Sequence, residues 1–189
     1  IQDCDHEVES FLHRLARKQG NAARALPPPR CTFRCCDNEP RFDVRDPLFR
    51  LSGVDLTQID GIGPYTALQL IAEIGTDMHR WPTDKHFTSW LTLAPKNKIS
   101  GAKLISSRTQ PSANKAAALL RMSAMVLGRT STALGAYYRR IAYRIGKPKA
   151  ITATARKLAI LVYRTLKGEL DYADPGASAY EELHRERTL

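Results

Sequence analysis

Leu56-Thr57-Gln58-Ile59-Asp60-Gly61-Ile62-Gly63-Pro64-Tyr65-Thr66-Ala67 is the stretch from which the rest of the chain can be read. Gly61 and Gly63 supply a tight turn, because glycine reaches backbone angles that side chains forbid. Pro64 suits the first position of a helix, where its missing N–H is not needed. Ala67, Leu70, Ile71 and Ile74 then follow at helical spacing, and Gly75 stops the helix. A short helix is expected on each side of the turn.

Over residues 54–75 this pattern resembles a helix-hairpin-helix. In that module a Gly-Ile-Gly turn offers backbone N–H groups to a DNA phosphate without reading sequence. The same spacing also suits a packed helical hairpin that binds nothing.

Toward the N terminus, Pro47 to Ser52 fits a short helical turn, and residues 21–46 form an irregular linker. Pro27-Pro28-Pro29 is stiff and extended, and a boundary between two structural units is expected here. Residues 2–18 read as a helix with Val8, Phe11, Leu12 and Leu15 along one narrow stripe, ended by Gly20 and Asn21. Such a stripe suits packing against another helix, including one from another chain.

Toward the C terminus, Trp81-Pro82 makes a turn, and Phe87, Trp90, Leu91 and Leu93 suit a short core helix or strand, with both tryptophans as core anchors. Pro95 releases a loop, Lys96-Asn97-Lys98-Ile99-Ser100-Gly101-Ala102-Lys103. Three helices are expected after it: 113–127 capped by Ser112, 132–145 capped by Thr130 or Ser131, and 149–167. Gly146-Lys147-Pro148 breaks the second from the third, and 169–189 ends in a helical tail. The fold class is therefore mainly α, a coiled-coil-like N-terminal helix followed by a helical domain.

Charge is segregated along this chain. From Lys85 to Gly168 there are seventeen Lys/Arg and no Asp or Glu, while both flanks are acidic on balance. A net charge of +10 carried in one block points to a polyanion, most simply nucleic acid. The longest apolar run, Leu158 to Tyr163, is too short to span a bilayer, and no stretch reads as a signal peptide or lipid anchor. Starting at Ile1 rather than Met, the sequence is expected to be a piece of a longer chain. Cys4, Cys31, Cys35 and Cys36 fit a reducing cytoplasm better than a disulfide framework, and their spacing is poor for zinc.

Chemistry is expected first at Ser100. A serine hydroxyl needs a base, metal or cationic field to become a nucleophile. Lys96, Lys98 and Lys103 supply such a field, and Gly101 lets backbone approach a phosphate. On local sequence alone an ordinary turn fits these residues as well. Two-metal phosphoryl transfer needs clustered carboxylates, and Asp55, Asp60, Asp77 and Asp84 are scattered. Asp84 lies where a helix-hairpin-helix glycosylase keeps its catalytic Asp, but the preceding helical domain and the hairpin lysine of that class are missing. Tyr137-Tyr138-Arg139-Arg140 has no His-x-x-Arg partner for a tyrosine recombinase, so the tyrosines suit core packing.

The order of motifs is more specific than any one of them. Gly53-Val54-Asp55-Leu56, Ile59 to Gly63, Glu73-Ile74-Gly75, Phe87 to Pro95, Ile99 to Lys103, Asn114-Lys115-Ala116, Leu119-Leu120-Arg121 and Leu134 to Arg140 follow one another. This series resembles the C-terminal transposase domain of the insertion-sequence one-ten family, relatives of the Piv/MooV pilin-gene invertases. The resemblance runs from about residue 47 to 185.

The resemblance implies a division of labour. Residues 1–20 would be the end of a helical linker, 21–46 an irregular linker, and 47–189 the C-terminal transposase domain. A RuvC-like domain with a DEDD carboxylate set would precede them, and would hold magnesium; no cofactor is expected in the present residues. Ser100 matches the family's nucleophile, with Ser106, Ser107 and Ser112 as competitors. Ala102 departs from the more usual glycine at its position. Partners implied are DNA, a guide (bridge) RNA and further copies of the chain, as a dimer or tetramer through the linker helix, in a prokaryotic, nucleoid-associated setting. Nucleic-acid contacts are expected from Gly61, Ile62, Gly63, Lys96, Lys98, Gly101, Lys103, Arg108, Asn114, Lys115, Arg121, Arg139 and Arg140. The alternative is a non-catalytic helix-hairpin-helix module for nucleic-acid binding or assembly.

Overall fold

Small residues set the centre of the molecule in a computed structural model that describes residues 2–19, 25–30, 40–111 and 113–186. Helices α5 (Lys115–Leu127) and α7 (Lys147–Leu166) approach each other there. Ala116, Ala117 and Ala124 on α5 and Ala155 and Ala159 on α7 are fully buried. Their short side chains let the two backbones come close, while Leu120, Leu127, Leu158 and Val162 fill the space beside them. Helix α6 (Ala133–Ile145) lies along α7, and the tail helix α8 (Ala177–Glu186) covers α6.

The N-terminal half wraps this pair. Helix α1 (Gln2–Gln19) packs on α2 (Arg45–Ser52), burying Leu12 and Ala16. A single 3₁₀ turn, Leu56–Gln58, leads to α3 (Pro64–Ile74), which packs on α5. Helix α4 (Asp84–Trp90) reaches α7 through an aromatic cluster of Trp81, Phe87, Trp90 and Tyr163. The Tyr163 hydroxyl donates to the Trp81 carbonyl at 2.7 Å, so its polar atom is satisfied within the cluster. Trp90 keeps one edge in solvent, whereas Trp81 is buried.

Several expectations need correction. The loop after Pro95 is a β-hairpin, β1 (Lys98–Ser100) paired antiparallel with β2 (Lys103–Ser106). The residues before Gly61 make only one 3₁₀ turn, because the Asp55 side chain turns back to accept from the Thr57 amide. Thr132 caps α6 through the Gly135 amide, rather than Thr130 or Ser131. Helix α7 begins at Lys147, with Pro148 in the first turn, where proline is tolerated. Asn114 caps α5 through the Ala117 amide at 3.1 Å. The proposed cap Ser112, the helix stop at Gly20 and Asn21, and Cys31, Cys35 and Cys36 lie outside the described residues.

The proline segment is docked rather than free. Gln58 donates to the Pro28 carbonyl, Arg45 to the Pro27 carbonyl, and Arg30 to the Gln58 carbonyl. Residues 27–30 thus lie across the turn that precedes Gly61.

Candidate nucleic-acid interface

The hairpin gathers most of the residues expected at the site. Ser100 stands opposite Lys103 across a two-residue turn, and Lys98 opposite Ser106. Alternate strand residues point the same way, so Lys98, Ser100 and Lys103 share one face. Directly opposed side chains begin about 5 Å apart at Cβ. Ser100 therefore shares its face with two lysines, and Lys98, Ile99 and Ser100 are all exposed. The Lys96 amide donates to the Arg108 carbonyl at 3.0 Å, which extends the pairing to the hairpin's foot and brings those cations into line.

The turn itself explains Gly101 and Ala102. Gly101 takes φ +57, the left-handed region. Among the described residues Thr92 is the one non-glycine with positive φ, so Ala102 keeps an ordinary backbone and needs no glycine. A register irregularity between Lys98 and Ile99 leaves Ile105 as an extra residue, and both Ile99 and Ile105 stand in solvent. A lone two-stranded hairpin is marginal in water. This one projects cations and two isoleucines from the helical body toward whatever binds it.

Ser100 shares its hairpin with lysines and lies in a stretch of sequence without acids. No carboxylate occurs from Lys85 to Gly168. Among the described residues no group of three His, Cys, Asp or Glu could hold a metal ion. Asp84, just before the block, is ion-paired to Arg164 at 3.0 Å, and Glu169, just after it, to Lys167 at 2.7 Å.

The Gly61-Ile62-Gly63 turn is packed as well as shaped. Gly61 has φ +83, and a Cβ there would lie 2.9 Å from Leu127 Cγ. Ile62 is buried, and its amide is bonded to the Ile59 carbonyl. Asp60 accepts from the Tyr172 hydroxyl at 2.9 Å, with Arg30 at 3.6 Å. Burial pushes the Asp60 carboxyl above its ordinary range, against the lowering by Tyr172 and Arg30. Burial, with the neighbouring Asp60, pushes the Tyr172 phenol up as well. The turn is thus clamped between α5 and the C-terminal segment.

The remaining expected contacts separate. Lys115 is exposed at the start of α5, Arg121 is half-buried on it, and Asn114 is engaged as a cap. Arg139 donates to the carbonyls of Gly128 and Thr130, closing the end of α5. Arg140 lies over Tyr137 and Tyr180 and bonds His184. These two arginines hold the α5–α6 corner and α8 in place, and Arg140 does so over Tyr137.

Three cations absent from the expected set line a cleft with Arg108 at the hairpin's foot: Lys157, and the pair Lys149 and Arg156. Their seven-residue spacing on α7, inside the acid-free block, was the signal in the sequence.

Comparison with known proteins adds one finding. No curated protein is significantly similar to the chain. Residues 55–139, from the buried Asp55 to Arg139 and including the hairpin with Ser100, match the model of the transposase IS116/IS110/IS902 family. The part of the chain that carries the candidate site is therefore similar to a transposase domain of the IS116/IS110/IS902 family.

Proposed function

We propose that this chain supplies the serine half of a DNA strand-exchange site. Ser100 Oγ attacks a backbone phosphorus; its bond to phosphorus forms as one bridging P–O bond breaks, and the freed strand end leaves as a hydroxyl. Lys98 and Lys103 neutralise the phosphate oxygens; the serine proton passes to a base outside this chain's cationic block, and a proton is delivered from the same assembly to the leaving oxygen. The carboxylates and magnesium come from a RuvC-like domain elsewhere in the assembly. A guide RNA pairs with the DNA, and the Gly61-Ile62-Gly63 turn adds a sequence-independent phosphate contact. The half-exposed Val8 and Phe11 on α1 favour assembly of copies through that helix.

The observation that carries this reading is Ser100 flanked by Lys98 and Lys103 on one exposed hairpin face, with no carboxylate in its block. The test is covalent trapping. With the carboxylate-bearing domain supplied, a DNA–peptide adduct is expected at Ser100, and Ser100→Ala abolishes it while Ser106→Ala and Ser107→Ala retain it. An adduct at another serine moves the nucleophile. No adduct at all favours a non-catalytic binding or assembly module. The 189-residue chain with magnesium alone is expected to leave DNA uncut.

A further inference from the structure

At the foot of the hairpin lies a cleft of about 1110 Å³. Residues 93–95 and 107–109 form one side; the end of α6 and the first part of α7 form the other. Its walls are of two kinds. Leu93, Ile145, Pro148 and Ile160 are apolar; Arg108, Lys149, Arg156 and Lys157 are cationic, with Lys157 Nζ 4.2 Å over the ring of Tyr137. No Asp or Glu lines it among the described residues. The ion pairs of the described residues include none of Arg108, Lys149 and Arg156.

Two features are unfavourable for the protein alone and favourable with an anion present. The Nε of Arg156 is buried without a hydrogen-bond partner among the described residues, a state that a phosphate oxygen relieves. Helix α7 opens with Lys147 and Lys149 and has no acid in its first turn. Cations at that end oppose the helix dipole, whereas a phosphate there is attracted by both dipole and lysines.

We propose that this cleft seats an unpaired DNA strand, the one that runs on to the phosphate presented at Ser100. The mixed wall decides for a single strand. A duplex shows a cleft mainly phosphates, whereas an unpaired strand offers phosphates to cations and base faces to apolar and aromatic side chains. Continuity decides for the attacked strand. Strand β2 and the residues after it lead from the Ser100 turn to Arg108, roughly 20 Å of extended chain. The proposal rests on Ser100 as the attacking group, and its test avoids chemistry so that the two can fail separately.

The test is fluorescence anisotropy of the 189-residue chain carrying Ser100→Ala, with a labelled single-stranded DNA, its duplex and the matching RNA. Lys149→Glu/Arg156→Glu is expected to weaken single-strand binding about tenfold or more, with duplex binding changed by less than about twofold. The milder Lys149→Gln/Arg156→Gln is expected to reduce the slope of log K against log salt by about 1.4, or about 0.7 for each phosphate no longer neutralised. Equal weakening for single strand and duplex, or none, overturns the proposal. Tighter binding of the RNA overturns its assignment to DNA. Where the charge-reversed variant fails to fold, photocrosslinking of a 5-iodouracil strand to the unsubstituted chain takes its place. The crosslink is expected at Tyr137 or within 145–160, and a crosslink confined to other segments overturns the proposal. A covalent adduct at a serine other than Ser100 removes the attacking group while leaving these binding results intact.

Discussion

Gly135→Ala is expected to lower the melting temperature by about 6–12 °C, the consequence of about 3 kcal/mol of overpacking in a chain of this size. A Cβ at Gly135 would collide with the Thr130 carbonyl oxygen and lie 2.7 Å from that of Leu127. Both are backbone atoms in the turn that joins α5 to α6, so neither can swing aside as a side chain would. Relief requires α6 to move off α5. That shift would disturb the Arg139 bonds to Gly128 and Thr130 and the Thr132 cap together. Gly128 faces the same corner, but a Cβ there meets the Tyr138 ring at 2.7 Å, and a half-exposed ring can yield. Gly101→Ala is the useful contrast, since a Cβ at Gly101 meets nothing within 4 Å and only its φ of +57 is strained. Thermal unfolding followed by circular dichroism measures all three. A Gly135→Ala protein that melts with the parent would show that the corner opens easily.

Arg45→Met has the second large effect, about 3–5 kcal/mol of stability, because it leaves Asp55 buried without its countercharge. Arg45 Nε donates to Asp55 Oδ2 at 3.0 Å and to Thr57 Oγ1 at 3.1 Å, and only 3% of the Asp55 side chain is exposed. The double change Arg45→Met/Asp55→Leu is expected to recover most of the stability, since removing both charges removes the desolvation cost as well. Urea unfolding of the two variants tests this; equal destabilisation would mean that packing, not charge, dominates. Burial alone would raise the Asp55 carboxyl, but hydrogen bonds from Arg45, Thr57 and Gln58 together outweigh it and hold the group below its ordinary value of 3.8. A lowered folded value means that the stabilisation is fully present above about pH 4 and is lost as pH falls through the folded value. Asp55→Asn should therefore flatten the acid limb of the stability profile.

The helices were legible because their apolar spacing is long and regular. Ala116 to Leu127 and Ile151 to Leu166 each repeat the pattern over several turns, and the two meet at the centre of the core. Strands of three and four residues cannot announce themselves so strongly. Lys98-Ile99-Ser100 and Lys103 to Ser106 do alternate, but a basic, glycine-containing stretch after a proline reads equally well as a loop. Ser100 was singled out through the order of motifs around it, and the register puts Lys98 and Lys103 on its own face. The cleft was invisible because its parts lie far apart in the chain, Arg108 at the hairpin and Arg156 on α7. Arg139 and Arg140 show the opposite limit. Arg139, though exposed, bonds the Gly128 carbonyl, and Arg140 lies over Tyr180 and bonds His184, partners that the Tyr-Tyr-Arg-Arg run does not announce.

Each strand of the hairpin has one bare edge, with amide and carbonyl groups open to any other extended chain. Ile99 and Ile105 make that edge stickier, since both stand in solvent. Lys96, Lys98 and Lys103 repel a second hairpin, so the cations that attract a phosphate also keep free copies from zipping into a shared sheet. Neutralising them invites self-association as nucleic-acid affinity falls. Charge reversal, Lys98→Glu and Lys103→Glu, removes the attraction to phosphate while keeping the mutual repulsion, and so separates solubility from binding.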